Sequence, residues 1–115
     1  MNLPRQAERL RIFLGESDRH KGRLLFETIV EEARRRGLAG ATVLRGVSGF
    51  GANSRVHTNK ILRLSEDLPV VVEIVDTPEK IEAFLPYLDE VMREGLVTLE
   101  GVQVIFYRHN QGKKD

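Results

Sequence analysis

The chain has 115 residues, 41% of them hydrophobic, and a net charge of +1 from 18 Lys plus Arg against 17 Asp plus Glu. That length makes one domain able to bury about two-thirds of its unfolded surface without covalent staples. Cysteine is absent, which excludes a disulfide framework, a thiolate nucleophile and a cysteine metal site, and which fits a reducing cytoplasm. The near-neutral balance excludes nucleic-acid binding by bulk attraction. MNLPRQAERL lacks the apolar core of a signal peptide, and no apolar run approaches the roughly 20 residues of a membrane span.

In chain order, residues 1–8 read as a lead-in, 109–115 as a polar tail, and about 9–107 as the core of one domain. Leu10, Ile12 and Leu14 alternate with Arg11 and Phe13, the two-residue period of a half-buried strand that Gly15 ends. Ser17 or Asp18 can cap a helix running to about Arg36, with Leu25, Ile29 and Ala33 as its buried stripe. Arg34, Arg35 and Arg36 suit the negative end of the helix dipole, and Gly37 stands at the stop. Thr42–Val47 reads as a second strand and the stretch to about Asn59 as irregular, while Lys60–Ser65 suits either strand or turn. Pro69 introduces VVVEIV at 70–75, apolar on both sides of the pleat and so expected to be buried on both.

Thr77 and Pro78 mark a helix start as cap and first helical residue. Ile81, Phe84, Leu85, Leu88, Val91 and Met92 form its apolar stripe, Pro86 should kink it, and Gly95 ends it. Leu96–Leu99 and Val102–Tyr107, separated at Glu100-Gly101, supply the last strand. The order strand, helix, strand, loop, strand, helix, strand implies an α+β, ferredoxin-like βαββαβ fold, with an antiparallel sheet and both helices on one face. Phe13, Val71, Val75, Ile105 and Tyr107 should then lie on a second apolar face, and covering it calls for a closed homo-oligomer.

Between Ala41 and Ser65 there is no Asp or Glu, yet Arg45, Arg55, Lys60, Arg63 and His57 lie there. A purely cationic segment in a neutral chain suggests a small anionic partner met locally. Just before and within it, GLAGATVLRGVSGFG (37–51) is dense in glycine, which allows close approach of another chain segment or of a ligand. A Walker A loop is absent, and GFGANS has Ser54 where the dinucleotide fingerprint needs its third glycine.

This stretch resembles the G-x-x-G-x-T-V…G-F-G segment of the PII signalling proteins. LRIFLGESDRHKG, SRVHTNKILRLSEDLPVVVEIVD and EKIEAFLPYLDEV are similar to a PII-like family of bacterial and archaeal proteins distantly related to them. The resemblance spans about residues 9–107 and implies a trimer with adenine nucleotides bound in clefts between subunits. It carries over Gly40, Thr42, Gly49, Phe50 and Gly51 as ligand-binding residues. The connection from Gly51 to Pro69 is shorter than the PII T-loop and lacks its modified tyrosine. No counterpart of the family's glycine-rich phosphate loop stands near Asp76-Thr77, so Arg45, Arg55, His57 and Lys60 are the expected phosphate contacts. An AMP-like ligand is then held more easily than ATP. The implied protein is a non-enzymatic sensor, read by an unidentified protein or membrane-transport partner through the loop after strand two.

Two other chemistries are legible. Glu16, Ser17, Asp18 and His20 are types a small hydrolase uses on an anionic substrate, or else a helix cap with an acid at the dipole's positive end. His20, His57 and His109 form no i, i+4 pair, so no metal site is expected within one chain, though a threefold axis gathering His57 would make a metal-responsive trimer. An RNA-recognition module shares the strand order, but its K/R-G-F/Y-G/A-F-V signature is missing, which argues against nucleic acid.

Overall fold

The computed structural model describes residues 5–50 and 67–108. β1 (Gln6–Gly15) buries Leu10, Ile12 and Leu14 and leaves Arg9, Arg11 and Phe13 half-buried between them. It begins inside the segment read from sequence as a lead-in, because Gln6 pairs with Gln103 at the far end of the last strand.

The helix expected from Ser17 or Asp18 starts only at Leu25, and neither residue caps it. In its place β2 (Arg19–His20) and β3 (Arg23–Leu24) form a minute hairpin. Lys21 and Gly22 sit at its turn with φ of 53° and 81°, the paired left-handed conformations of a tight two-residue hairpin. α1 (Leu25–Arg35) follows and buries Leu25, Ile29 and Ala33 as expected. Its end is a Schellman motif: Gly37 adopts φ 79°, its N–H donates to Arg34 O (3.0 Å), and Leu38 N–H donates to Ala33 O (3.1 Å). Arg35 and Arg36 both grip Glu32, and their hydrogen bonds lower its carboxyl from 4.5 to about 2. The Arg36 guanidinium also lies over the rings of Phe84 and Tyr87 at 5.5 and 5.1 Å, tying the two helices together.

β4 (Thr42–Arg45) and β5 (Pro69–Asp76) follow, then α2 (Pro78–Val91). The Thr77 hydroxyl accepts from Lys80 N–H at 3.2 Å, and Pro78 occupies the first turn, as the sequence predicts. α2 continues through Pro86 as one helix. β6 (Leu96–Gln103) runs without the expected break at Glu100-Gly101, since Gly101 stays in register opposite Glu8. The strand ends at Gln103, leaving Ile105 and Tyr107 outside the sheet.

Among the described residues, four strands make one antiparallel sheet in the order β4-β5-β1-β6. α1 and α2 cover one face of it, and Ile29, Ile81 and Phe84 meet Leu10, Ile12, Val72 and Ile74 in a single core. This is the ferredoxin-like βαββαβ order with the β2–β3 hairpin inserted.

The opposite face is organised in rows across the strands. Leu44, Val71, Phe13 and Leu96 stand side by side, and Leu44 and Leu96 are 48% and 56% exposed. Thr42, Glu73, Arg11 and Thr98 form the next row, with Val75, Arg9 and Glu100 beyond. Arg11 pairs with Glu73 (2.8 Å) and Arg9 with Glu100 (2.9 Å), so these charges are neutralised within the chain. β5 is thus deeply buried on one face only. The expectation of a second apolar face holds for Phe13, Val71 and Val75. Ile105 and Tyr107 are replaced there by Leu44 and Leu96.

Asp76 continues the buried phase of Val70, Val72 and Ile74 and is itself fully buried. One carboxylate oxygen accepts Thr77 N–H and the other Ala39 N–H, both at 2.7 Å. It therefore fixes the loop that leads from α1 into β4. Asp76→Ala should lower stability by about 1–3 kcal/mol by orphaning two donors, with Asp76→Asn between, as read by urea unfolding. Glu32 has a lowered folded pKa, so its contribution is present above the unfolded value of 4.5 and lost as pH falls toward about 2. Thermal unfolding of Glu32→Gln should accordingly show a shallower loss of stability over that acid range, and salt should shrink the difference.

Candidate functional site

β4 carries Thr42 and Arg45 among the predicted ligand residues, and Gly40, Gly49 and Phe50 flank it. Among the described residues it is an edge strand, paired through β5 alone, so its outer backbone groups face away from the sheet. Register sets its side chains on alternate faces: Thr42 and Leu44 with the open face, Val43 and Arg45 with the helix face. Thr42 and Arg45 therefore do not converge within the chain, but they flank the same edge, which no other described strand pairs. Gly40 lies just before the strand, exposed, with open space where a Cβ would stand. Phe50 lies after it, 71% exposed. Gly51, Arg55, His57 and Lys60 fall outside the described residues.

Glycine in this region serves close approach of chain to chain at two positions. Gly46 N–H donates to Pro69 O at 2.7 Å, and a Cβ on Gly46 would stand 2.8 Å from the Pro69 ring. Gly49, at φ 149°, has the same ring 3.3 Å from its would-be Cβ. Pro69, the first residue of β5, is thus what presses on the backbone leaving β4.

Arg45 is committed within the chain, since its guanidinium is paired with the Glu16 carboxylate. Glu16 is held in turn by its own N–H, which donates to Leu68 O at 2.7 Å. The rest of that loop is a clasp of the same kind. Asp18 accepts Gly15 N–H at 3.0 Å, and Asp67 accepts Ser17 N–H at 2.9 Å. Burial pushes the Asp18 carboxyl up; the Gly15 hydrogen bond opposes this, and the charges of Asp67 and Glu94 add to it. These are the contacts of a turn held by carboxylates, in place of the helix cap expected from sequence. His20 lies on the β2–β3 hairpin opposite Arg23. Among the described residues, no three His, Asp or Glu side chains are grouped so as to hold a metal ion. None of the helices described is long and apolar enough to cross a membrane.

Sequence reasoning passed over the anchor at the other end of β4. Asp76 holds Ala39, the Tyr107 hydroxyl donates to Ala39 O at 3.3 Å, and Lys80 Nζ donates to Gly37 O at 3.1 Å. The usable signal was phase: an aspartate two residues beyond Ile74 in the buried register of an apolar strand. Opposite Asp76, Glu8 keeps one carboxylate oxygen buried with no hydrogen-bond partner among the described residues.

Comparison with known proteins places this architecture. The family described as "Uncharacterized ACR, COG1993" (DUF190) matches residues 7–104. A UPF0166 protein of Aquifex aeolicus is 42% identical over 97 residues, covering 84% of this chain and 91% of that protein. A UPF0166 protein of Methanocaldococcus jannaschii is 39% identical over 100 residues, covering 86% and 92%. Among solved structures, a Thermus thermophilus protein proposed to be a PII-like signalling protein superposes with TM-score 0.63 at 23% identity, covering 87% and 90%. CPII of Thiomonas intermedia, bound to ADP and bicarbonate, gives TM-score 0.56 at 22% identity, covering 86% and 88%. The chain belongs to the DUF190 family and has the fold of PII-like proteins.

Proposed function

We propose that this protein is a homotrimeric PII-like sensor that binds an adenine nucleotide in the clefts between its subunits. The observation that carries this reading is the placement of Gly40, Thr42 and Arg45 along a sheet edge that no other described strand pairs, with Thr42 and Arg45 on opposite faces, so that they do not close a pocket together. Such residues make half a pocket, and a neighbouring copy supplies the other half. The apolar row Leu44, Val71, Phe13 and Leu96 supports assembly through the open face, whose charges are already paired. That CPII, of the same fold, binds ADP supports an adenine nucleotide as the ligand.

In this reading the nucleotide's phosphate displaces Glu16 from Arg45, exchanging one charge-assisted contact for another. Arg55, His57 and Lys60, which follow β4 in sequence, supply the remaining positive charge. A monophosphate such as AMP suits this limited set better than a triphosphate. The loop after β4 then changes with the ligand, and a partner protein reads its state, in the manner of other phosphate-ordered switches.

Calorimetric titration with AMP, ADP, ATP and cyclic AMP is the direct test, and heat from AMP at the lowest concentration is expected. Silence from all four at millimolar ligand would refute nucleotide binding. Arg45→Ala, and separately Arg55→Ala with Lys60→Ala, should each weaken binding by about 1.5–3 kcal/mol. For the assembly, sedimentation should find three chains together, and Leu44→Asp should shift the population toward single folded chains. An unaltered trimer with Leu44→Asp would place the interface elsewhere.

A further inference from the structure

Two apolar features sit at opposite ends of β6. At its beginning, a shallow open groove of about 310 Å³ lies between the C-terminal half of α2 and the strand, lined by Leu85, Leu88, Met92 and Val97. Asp89, Arg93 and Glu94 also line it and give it a net negative charge. The groove exists because the helices do not reach the edge of the sheet. Val97 and Leu99 point to the helix side, opposite Ile12 and Leu10, yet remain 38% and 41% exposed.

Beyond the end of β6, residues 104–108 turn across the end of the sheet. Val104 N–H donates to Arg5 O at 2.7 Å, and the Tyr107 hydroxyl reaches Ala39 O ahead of β4. Between these two tethers Ile105 and Phe106 are thrown outward, 72% and 66% exposed. The Arg108 guanidinium lies over the Phe106 ring at 4.3 Å, so the knob is apolar with a cation on top.

The knob cannot fill the groove of its own chain. β6 keeps an unbroken register against β1 from Leu96 to Gln103, and the strand from Val97 to Gln103 separates the two by about 20 Å. The geometry points to a contact between copies: Ile105 and Phe106 of one chain enter the α2–β6 groove of the next, and Arg108 meets the Asp89 and Glu94 that line it. A small volume open along one side suits inserted side chains, and the signs of charge agree. The two surfaces differ, so the contact is head-to-tail, and repeated around a threefold axis it closes into a ring. The inference rests on the trimeric reading and adds to it a route between subunits. Tyr107 ties the knob to the Ala39 loop, and so the start of β4 in one copy is joined to α2 of its neighbour.

The absence of native cysteine makes introduced thiols the sole ones present. The full chain carrying Met92→Cys and Ile105→Cys together should oxidise to a band of three linked chains on a denaturing gel, dissolved by dithiothreitol. Each single variant should stay unlinked, as should the control pair Glu79→Cys and Ile105→Cys. A second pair, Val97→Cys with Phe106→Cys, guards against one unlucky thiol geometry. Charge reversal at Arg108→Glu should weaken the assembly roughly tenfold, and Asp89→Arg on the same chain should restore it. A protein that sediments as a trimer yet links no better in both pairs than in the control overturns the knob-and-groove contact alone. A protein that sediments as single chains overturns the trimeric reading and this contact with it.

Discussion

A sheet has two faces, and among the described residues α1 and α2 cover one of them. From that shortage of covering structure the other features follow. On the covered face, aliphatic side chains of β1 and β5 meet Ile29, Ile81 and Phe84 in one core. On the uncovered face the strands carry an apolar row beside a ladder of arginine and glutamate whose charges cancel across the strands. A face prepared in this way is poorly suited to water and well suited to a second surface of the same kind. The two edges share the same incompleteness, β4 with its divided set of polar residues and β6 with its unfilled groove.

Asp76 organises the end of the sheet where these elements meet. Its carboxylate is fully buried and divides its oxygens between the N–H groups of Thr77 and Ala39. The start of α2 and the approach to β4 are therefore one unit, to which Tyr107 adds the segment after β6. A change at β4 is in this way connected to α2 and to the C-terminal segment by hydrogen bonds to backbone. Buried carboxylates that satisfy amide donors are rigid, because either partner left alone would bear the cost of desolvation. Under the proposed function, such a junction would couple β4 to α2 and to the C-terminal segment.

Much of the fold was legible because periodicity and capping are local. The alternation around Leu10–Leu14, the Arg-rich helix end before Gly37, and Thr77-Pro78 each specify structure through neighbours in sequence. The errors occurred where distant contacts decide. Ser17 and Asp18 look like a cap, but the left-handed pair Lys21-Gly22 closes a hairpin first and postpones the helix to Leu25. Glu100-Gly101 looks like a break, but β1 extends back to Gln6 and holds β6 straight against it. For the site, the glycines were readable as points of close approach, but not that Pro69 is what approaches Gly46 and Gly49. Nor does composition say that Arg45 is already engaged by Glu16, since the two meet only across the start of β5, which lies between β1 and β4.

Native mass spectrometry of the full chain titrated with an adenine nucleotide tests the shared pocket most directly, because it weighs assembly and ligand in one measurement. The expected species holds three chains and fills to one nucleotide per chain, with none seen on dissociated subunits. A single chain that carries nucleotide by itself would contradict the pocket built from two copies.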